Sequence, residues 1–469
     1  MRSARGSAGA PGLALALLCV AQFVLQLDFS IVNVALRTIE GRLGFAPSEL
    51  QWIVTGYALT FGSLLLLGGR LGDLHGRRRT LLAGLWLFGG ASLACGLAQS
   101  PAMLIAARLA QGAGAALVAP AIVATIAGLY SDGAARTRAL GIWTAANASG
   151  ATAGIVAGGL MTQYLGWRSI FLVNIPVIAT LILLIRVALP GAPGERREQG
   201  VDAPGAACAT LAIAALIFAL SEGAQRGFGS APALGGFAGA GAIGALFAIV
   251  ERRAPAPMVP LAFLTPRGRR AALLAMAVVG GAFASNAYFL ALYEQRVLGF
   301  GQARTALTLV PAPVVTVLIA SLLARRAISR FGMRGVTIVG LAMLATSYLW
   351  FAELAASGPY ALKVLPALLT NAAGGGLLFP AMSAAITAGT SSVDRGLAGT
   401  MVPTCQQLGA AIAVAVLATI AAAGADSPLA HYRDAYRVAA AAVLVTAAIV
   451  GWSRLRQPRP ADAQALPPA

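Results

Sequence analysis

Apolar stretches of about twenty residues, the length a helix needs to cross a bilayer, recur from one end of this 469-residue chain to the other. Fourteen can be marked, near 13–36, 50–69, 80–98, 101–124, 138–160, 168–189, 204–222, 233–250, 271–293, 304–324, 335–354, 361–383, 397–423 and 436–453. The fold class that follows is an all-α membrane protein with fourteen spans. Composition agrees: 58% of residues are hydrophobic and 11% charged, against roughly a quarter charged in a soluble domain. The first span is expected to stay in the membrane, because no small-residue cleavage site follows its apolar core and it carries Asp28.

The net charge of +18 does not point to nucleic acid. The arginines stand in short clusters between apolar runs and form no continuous polar surface. Instead they orient the chain. With the N-terminus inside, twenty-four of the 34 cationic residues fall in cytoplasmic segments, so both termini are expected to be cytoplasmic. Cys19, Cys95, Cys208 and Cys405 each lie alone in an apolar run, which implies neither a disulfide framework nor a metal site. Thirty-three arginines against the single Lys363, with abundant Ala and Gly, read as the codon bias of a GC-rich genome, and a bacterial cytoplasmic membrane is the expected location.

One loop is repeated. "GGRLGDLHGRRRT" at 68–80 aligns with "ARRAISRFGMRGV" at 324–336 when Gly76 is set against Gly332, an offset of 256 residues. Arg70 then matches Arg326, Arg78 matches Arg334, and Asp73 becomes Ser329. Each loop joins the second and third spans of a six-span block if the spans between 204 and 250 are an insert. The expected organisation is a bundle over 1–197, a two-helix insert over 198–260, a second bundle over 261–456 and a tail over 457–469, with a site at the repeat interface.

Six further stretches stand in register with one family. "LDFSIVNVAL" at 27–36, "GGRLGDLHGRRR" in the loop, "RLAQGAGAALVAPA" at 108–121, "GWRSIFLVNIP" at 166–176, "YEQRVLGFG" at 293–301 and "CQQLGAAIAVAVLATI" at 405–420 resemble the motifs of the fourteen-helix drug/proton antiporters of the major facilitator superfamily. The resemblance covers nearly the whole chain. It implies two six-helix bundles plus two inserted helices, and alternating access around a central cavity lined by the first and fourth helices. It also implies that the loop between the second and third spans joins the bundles at the inner surface in the outward-facing state. One departure stands out. Where the family usually reads Gly-Pro in its fifth helix, this chain has Ile155 after Gly154. Gly150, Gly154, Gly158 and Gly159 still support close helix packing, but part of the case for antiport over symport or uniport goes with the proline.

Charges at bilayer depth default to a functional reading, and Asp28 and Arg108 are the two that stand out. Asp28 lies eight residues before Leu36, about 12 Å along a helix, and Arg108 lies seven residues after Pro101, about 10 Å. Similar depth makes a pair plausible. Asp28 is the candidate proton and substrate-competition site, with Arg108 tuning it and Gln111, one turn away, adding polar lining. The competing reading is a static buried pair that fixes helix register. In the loop, Asp73 is expected just before the third span, as a latch with Arg70, Arg77 and Arg78, while Gly69, Gly72 and Gly76 permit tight packing; a plain helix cap is the alternative.

Asn33, Asn147, Asn286, Asn371, Gln406 and Gln407 lie within spans, as cavity lining or as interhelical hydrogen bonders. Trp52 and Tyr57 are interface anchors or cavity lining. Glu222 and Glu294 fall at the outer ends of their helices, where interfacial solvation is expected; Glu294 is the more notable, since relatives often carry an apolar residue there. His75 and His431 are read as loop residues. No Gly-x-x-x-x-Gly-Lys-Ser/Thr loop and no nucleophile–base constellation is present, so neither an ATP-driven pump nor an enzyme is expected. The leading expectation is a proton-driven exporter of amphipathic molecules, acting as a monomer without cofactor or nucleic acid. The partners are then a small-molecule substrate, protons and the lipid bilayer. A narrow metabolite or ion carrier and a non-transporting sensor or scaffold are the rivals.

Overall fold

The computed structural model describes residues 11–46, 49–130, 133–189, 203–254, 257, 261–355, 359–388, 395–422 and 428–452. Among them there is no strand. The helices in chain order are α1 (Pro11–Leu43), α2 (Trp52–His75), α3 (Arg77–Gly96), α4 (Pro101–Leu129), α5 (Gly133–Tyr164), α6 (Ser169–Leu172), α7 (Asn174–Ala188), α8 (Ala203–Arg226) and α9 (Ala231–Arg253). Then follow α10 (Arg267–Arg296), α11 (Gln302–Leu309), α12 (Pro311–Leu322), α13 (Ala324–Phe351), α14 (Tyr360–Lys363), α15 (Leu365–Thr387), α16 (Arg395–Ala422) and α17 (Pro428–Trp452). Every expected span falls on one helix or on a consecutive pair. Ten helical segments among the described residues are long and apolar enough to cross a membrane. Shorter apolar stretches among the described side chains are Trp52–Leu65 in α2 and Ala207–Leu220 in α8.

Local chemistry sets the ends. Ser100 takes extended backbone and its hydroxyl accepts from the Met103 amide at 3.3 Å, with Pro101 in the first helical position, which supplies an N-cap. Between α2 and α3 the chain turns at Gly76, with φ 93° and ψ 132°, a conformation open essentially to glycine alone. Gly332 has φ 71° and ψ 163° and kinks α13. The two glycines aligned by the repeat therefore make the same backbone turn.

The repeat extends to packing. Arg78 donates to the carbonyl of Arg186 near the end of α7, and Arg334 donates to that of Gly451 near the end of α17. The Thr60 hydroxyl reaches the Leu109 carbonyl at 2.8 Å, and Thr316, 256 residues on, reaches that of Ala372 at 3.1 Å. Gly84 meets Gly114 just as Gly340 meets Gly374, so closely that a Cβ on Gly84 would lie 2.9 Å from the Gly114 carbonyl oxygen. Small residues let α3–α4 and α13–α15 approach backbone to backbone, which is how helices gain packing energy in lipid.

Helices α1–α7 pack on one another, as do α10–α17, while α8 and α9 pair with each other and α8 also touches α2 and α16. Only Ala233 and Glu251 are buried on α9, as suits a helix facing lipid. The two large sets meet along α2–α16, α5–α11 and α1–α10.

Several boundaries differ from expectation. Helix α1 continues to Leu43, so Leu36 is not its end; Arg37, Glu40 and Arg42 are helical, because they find partners on α10 or lie on its exposed face. Helix α13 starts at Ala324 and α17 at Pro428, well before the apolar cores at 335 and 436, since polar first turns are tolerated outside the hydrocarbon. His431 therefore lies in α17 and His75 is the last residue of α2. The ends of the chain and the junctions expected at 197 and 456 lie outside the described residues.

Candidate functional site

Asp28 lies near the middle of α1 and Arg108 on α4, and the structure brings them together. Arg108 Nη1 is 2.7 Å from Asp28 Oδ2, with both side chains wholly buried. An isolated charge at this depth is costly, and the surroundings satisfy this pair from several helices. Gln111 Nε2 on α4 donates to Asp28 Oδ1 at 2.8 Å, and Asn174 Nδ2, the first residue of α7, donates to the same oxygen at 2.7 Å. Gln111 Oε1 in turn accepts from Arg108 Nη1 at 2.7 Å. Ser92 Oγ on α3 lies 2.7 Å from Gln111 Nε2, and Cys95 Sγ lies 3.5 Å from Gln111 Oε1.

The guanidinium is held on its other side as well. Arg108 Nε donates to the Ile53 carbonyl at 2.9 Å, and its carbon lies 4.5 Å from the centre of the Tyr57 ring and 5.9 Å from that of Phe171. Aromatic faces attract a cation most strongly where water is excluded. Six helices, α1 to α4, α6 and α7, thus converge on one ion pair. Arg108, Gln111 and Asn174 all donate to the carboxyl of Asp28.

Asn174, Ser92 and the ring of Tyr57 are the parts that sequence reasoning missed or left open. Asn174 stands in the stretch "GWRSIFLVNIP", and its signal was an amide at the start of an apolar run. A second polar pair lies nearby in chain terms: Gln22 Nε2 on α1 donates to Asn147 Oδ1 on α5 at 2.7 Å, and Trp143 Nε1 donates to Gln22 Oε1 at 3.2 Å.

The glycines of α5 face α1. A Cβ on Gly150, Gly154 or Gly158 would come 2.5 Å from the carbonyl oxygens of Phe23, Leu27 and Ile31 respectively, and one on Gly159 would come 2.4 Å from Ala306 Cβ on α11. Asp73 is carried in the last turn of α2, one turn ahead of α3; its side chain lies outside the described residues. Gly76 caps α3 with no side-chain hydrogen bond. Arg77 Nη1 reaches the Ala124 carbonyl at 2.9 Å and Arg78 that of Arg186, so both bind within the α1–α7 set. Gly69 packs against Pro120, a Cβ on Gly72 would meet open space, and Arg70 is partly buried.

The remaining candidates are dispersed. Asn33 donates to the Ser30 carbonyl in its own helix at 3.3 Å. Asn286 accepts from the Tyr436 hydroxyl at 3.3 Å, and Asn371 donates to Ser347 at 3.0 Å. Trp52 is partly buried against the α2–α16 contact. There Gln407 Cβ would meet a Cβ on Gly62 at 3.0 Å, while the Gln406 backbone sits over Gly280. Glu222 pairs with Arg226. Glu294 departs from expectation: it is wholly buried, because α11 covers the end of α10 where solvent was expected, and Thr308 Oγ1 lies 2.5 Å from its Oε2. Among the described residues no three of His, Cys, Asp and Glu lie together as metal ligands would.

The hydrogen bonds described between the α1–α7 and α10–α17 sets all cluster at one end of the molecule, that of the α1–α2 connection. Arg37 donates to the Gln295 carbonyl, Gln295 Nε2 to that of Val34 at 3.0 Å, and Arg296 pairs with Glu40. Gln302 Nε2 meets Thr38 Oγ1 at 2.8 Å, and the Ala303 amide donates to Gln163 at 3.1 Å. This end is latched.

Comparison with known proteins agrees with this geometry. The profile of the Major Facilitator Superfamily matches residues 18–370. The cephamycin export protein CmcT of Amycolatopsis lactamdurans is 36% identical over 431 residues, covering 90% of this chain and 88% of its own. The puromycin resistance protein pur8 of Streptomyces alboniger is 33% identical, covering 93% of this chain and 90% of its own. In fold, the crystal structure of an auto-inhibited POT family peptide transporter superposes with a TM-score of 0.71 at 15% identity, over 96% of this chain and 99% of the other.

Proposed function

This chain belongs to the Major Facilitator Superfamily, a multi-pass membrane transporter for a small-molecule substrate, and from that premise we propose that it exports antibiotics or similar amphipathic molecules across a bacterial cytoplasmic membrane. The likeness to the cephamycin export protein CmcT and the puromycin resistance protein pur8 supports the substrate class. In this reading the chain has fourteen spans with both termini cytoplasmic. Two six-helix bundles, 1–197 and 261–456, flank the insert over 198–260, and the latched end faces outward.

The observation that carries the mechanism is the network around Asp28. A carboxylate fully buried in a spanning helix and held by Arg108, Gln111 and Asn174 is a charge whose environment must change for it to take up a proton. Rearrangement of the bundles moves α1 relative to α4 and α7, withdraws donors, and lets proton and substrate compete for Asp28. Energy then comes from the proton gradient. The loop at Asp73 acts when the opposite end closes: Arg77 and Arg78, bound within the first set in the present state, become available to join the second.

Transport of a fluorescent lipophilic cation into inverted vesicles, with and without a pH gradient, tests this for wild type and Asp28→Asn. Gradient-dependent transport that is lost in the variant is the expected result. Transport without the gradient dependence favours a narrow carrier working by uniport or symport, the reading that Ile155 in place of the helix-5 proline supports.

A further inference from the structure

The second helical set contains a buried carboxyl that the network around Asp28 does not use. Glu294 is the third residue from the end of α10 and is wholly excluded from solvent. Oε2 lies 2.5 Å from Thr308 Oγ1, while Oε1 has no hydrogen-bond partner. Its charged and titratable neighbours are Arg304 on α11, Tyr360 on α14, Tyr436 on α17 and Tyr293 on its own helix. None of them forms an ion pair with it among the described residues. Arg304 instead stacks its guanidinium over Phe300 at 3.8 Å, and Tyr360 donates to the Thr308 carbonyl at 2.6 Å.

A count of hydrogens decides which form is present. The Thr308 hydroxyl has one hydrogen and three oxygens within reach: Glu294 Oε2 at 2.5 Å, the Thr305 carbonyl at 2.7 Å and the Arg304 carbonyl at 3.2 Å. A carboxylate could only accept, so it would compete with the Thr305 carbonyl for that single hydrogen and would leave Oε1 a bare buried anion. A carboxylic acid donates from Oε2 to Thr308 Oγ1, and Thr308 passes its own hydrogen to Thr305. The chain of donors then closes, and no unpaired charge is buried.

We propose that Glu294 is a proton-binding site of the second helical set, neutral while the adjoining end is latched and free to release its proton to water when that end opens. The two residues that follow it, Gln295 and Arg296, make three of the latch contacts, to Val34, Arg37 and Glu40. Helix α11, which sets Thr308 over Glu294, carries two more latch contacts, from Gln302 to Thr38 and from Ala303 to Gln163, so opening this end releases the cover over Glu294. Protonation thereby stabilises the latched state, and deprotonation holds the end open. Under the exporter reading above, the site takes its proton from the outer solution. The assignment itself rests only on the local geometry.

The latch can be followed without substrate or gradient. Spin labels at Tyr164 and Leu362, both exposed and on opposite sets at the latched end, report its opening in a background lacking the native cysteines. In wild type the open fraction is expected to rise as pH is raised. The always-neutral Glu294→Gln should stay latched across the range, and Glu294→Asp should recover the response. Glu40→Gln removes the pair with Arg296 but should keep the rise of the open fraction with pH, so the two carboxyls are distinguishable. An infrared band of a protonated carboxyl, present in wild type, lost in Glu294→Gln and shifted in Thr308→Val, identifies the proton directly, and Thr308→Val supplies this readout even if Glu294→Gln does not fold. Opening that ignores pH in wild type, a pH response retained in Glu294→Gln, or a band unmoved by Thr308→Val would overturn the proposal. None of these readouts depends on whether the protein exports a drug.

Discussion

Asp28 and Arg108 stand eighty residues apart in sequence and 2.7 Å apart in space, each with no solvent contact. Removing the cation leaves the carboxylate buried with only amide donors, and breaking one side of a buried pair costs about 3–5 kcal/mol. Arg108→Ala and Asp28→Asn are therefore each expected to lower the thermal midpoint in detergent, the second because it leaves the guanidinium of Arg108 buried with only the neutral acceptors of Ile53 and Gln111. A midpoint unchanged in either variant would show that the pair does not carry the local stability.

The amide of Asn174 serves the same carboxylate. Asn174→Leu should cost about 1–3 kcal/mol through the lost donor and should impair gradient-driven transport, whereas Asn33→Leu, whose amide bonds only within its own helix, should impair it less. Transport assays of both variants in parallel decide the point.

Close approach of α5 to α1 sets a steric test. A Cβ at Gly154 would lie 2.1 Å from Ser30 Oγ and 2.5 Å from the Leu27 carbonyl oxygen, while one at Gly90 would meet nothing within 4 Å. Gly154→Ala is expected to lose about 1–3 kcal/mol by forcing the helices apart. Gly90→Ala should be neutral or gain up to about 1 kcal/mol in helix propensity. Thermal unfolding of the two variants gives the comparison.

Two turns are restricted to glycine by backbone geometry. At Gly76 and Gly332, with φ 93° and 71°, any side chain is strained, and alanine at either should cost about 1–3 kcal/mol. Because the turns are equivalent in the repeat, the two losses should be similar, as measured by the same unfolding assay.

The ion pair at the latched end offers a last test. Arg296→Gln removes its bridge to Glu40 and should raise the open fraction reported by the labels at Tyr164 and Leu362. A distance distribution identical to wild type would mean that the remaining contacts of Gln295, Gln302 and Ala303 suffice to hold the end shut.

How far the sequence reached follows from which interactions are local. Apolar length and the positions of Asp28 and Arg108 within apolar runs were enough to infer helices and a charged pair, because a lone charge in hydrocarbon has almost no other tolerable fate. The Gly76–Gly332 alignment was legible for a similar reason: a turn that excludes a Cβ leaves glycine in both copies. Asn174 and Ser92 were not legible as part of the site. Neutral polar residues are cheap enough in spans to occur singly, and only the convergence of α3 and α7 on α1 gives these two a carboxylate to serve. Glu294 shows the limit most clearly. Its place along α10 suggested solvent at a helix end, but exposure depends on what packs alongside, and α11 covers it. Sequence determined what must lie in the bilayer, since that is a property of each segment's own surface. The tertiary structure alone decided which polar groups meet and which end is closed, because both depend on contacts between helices far apart in the chain.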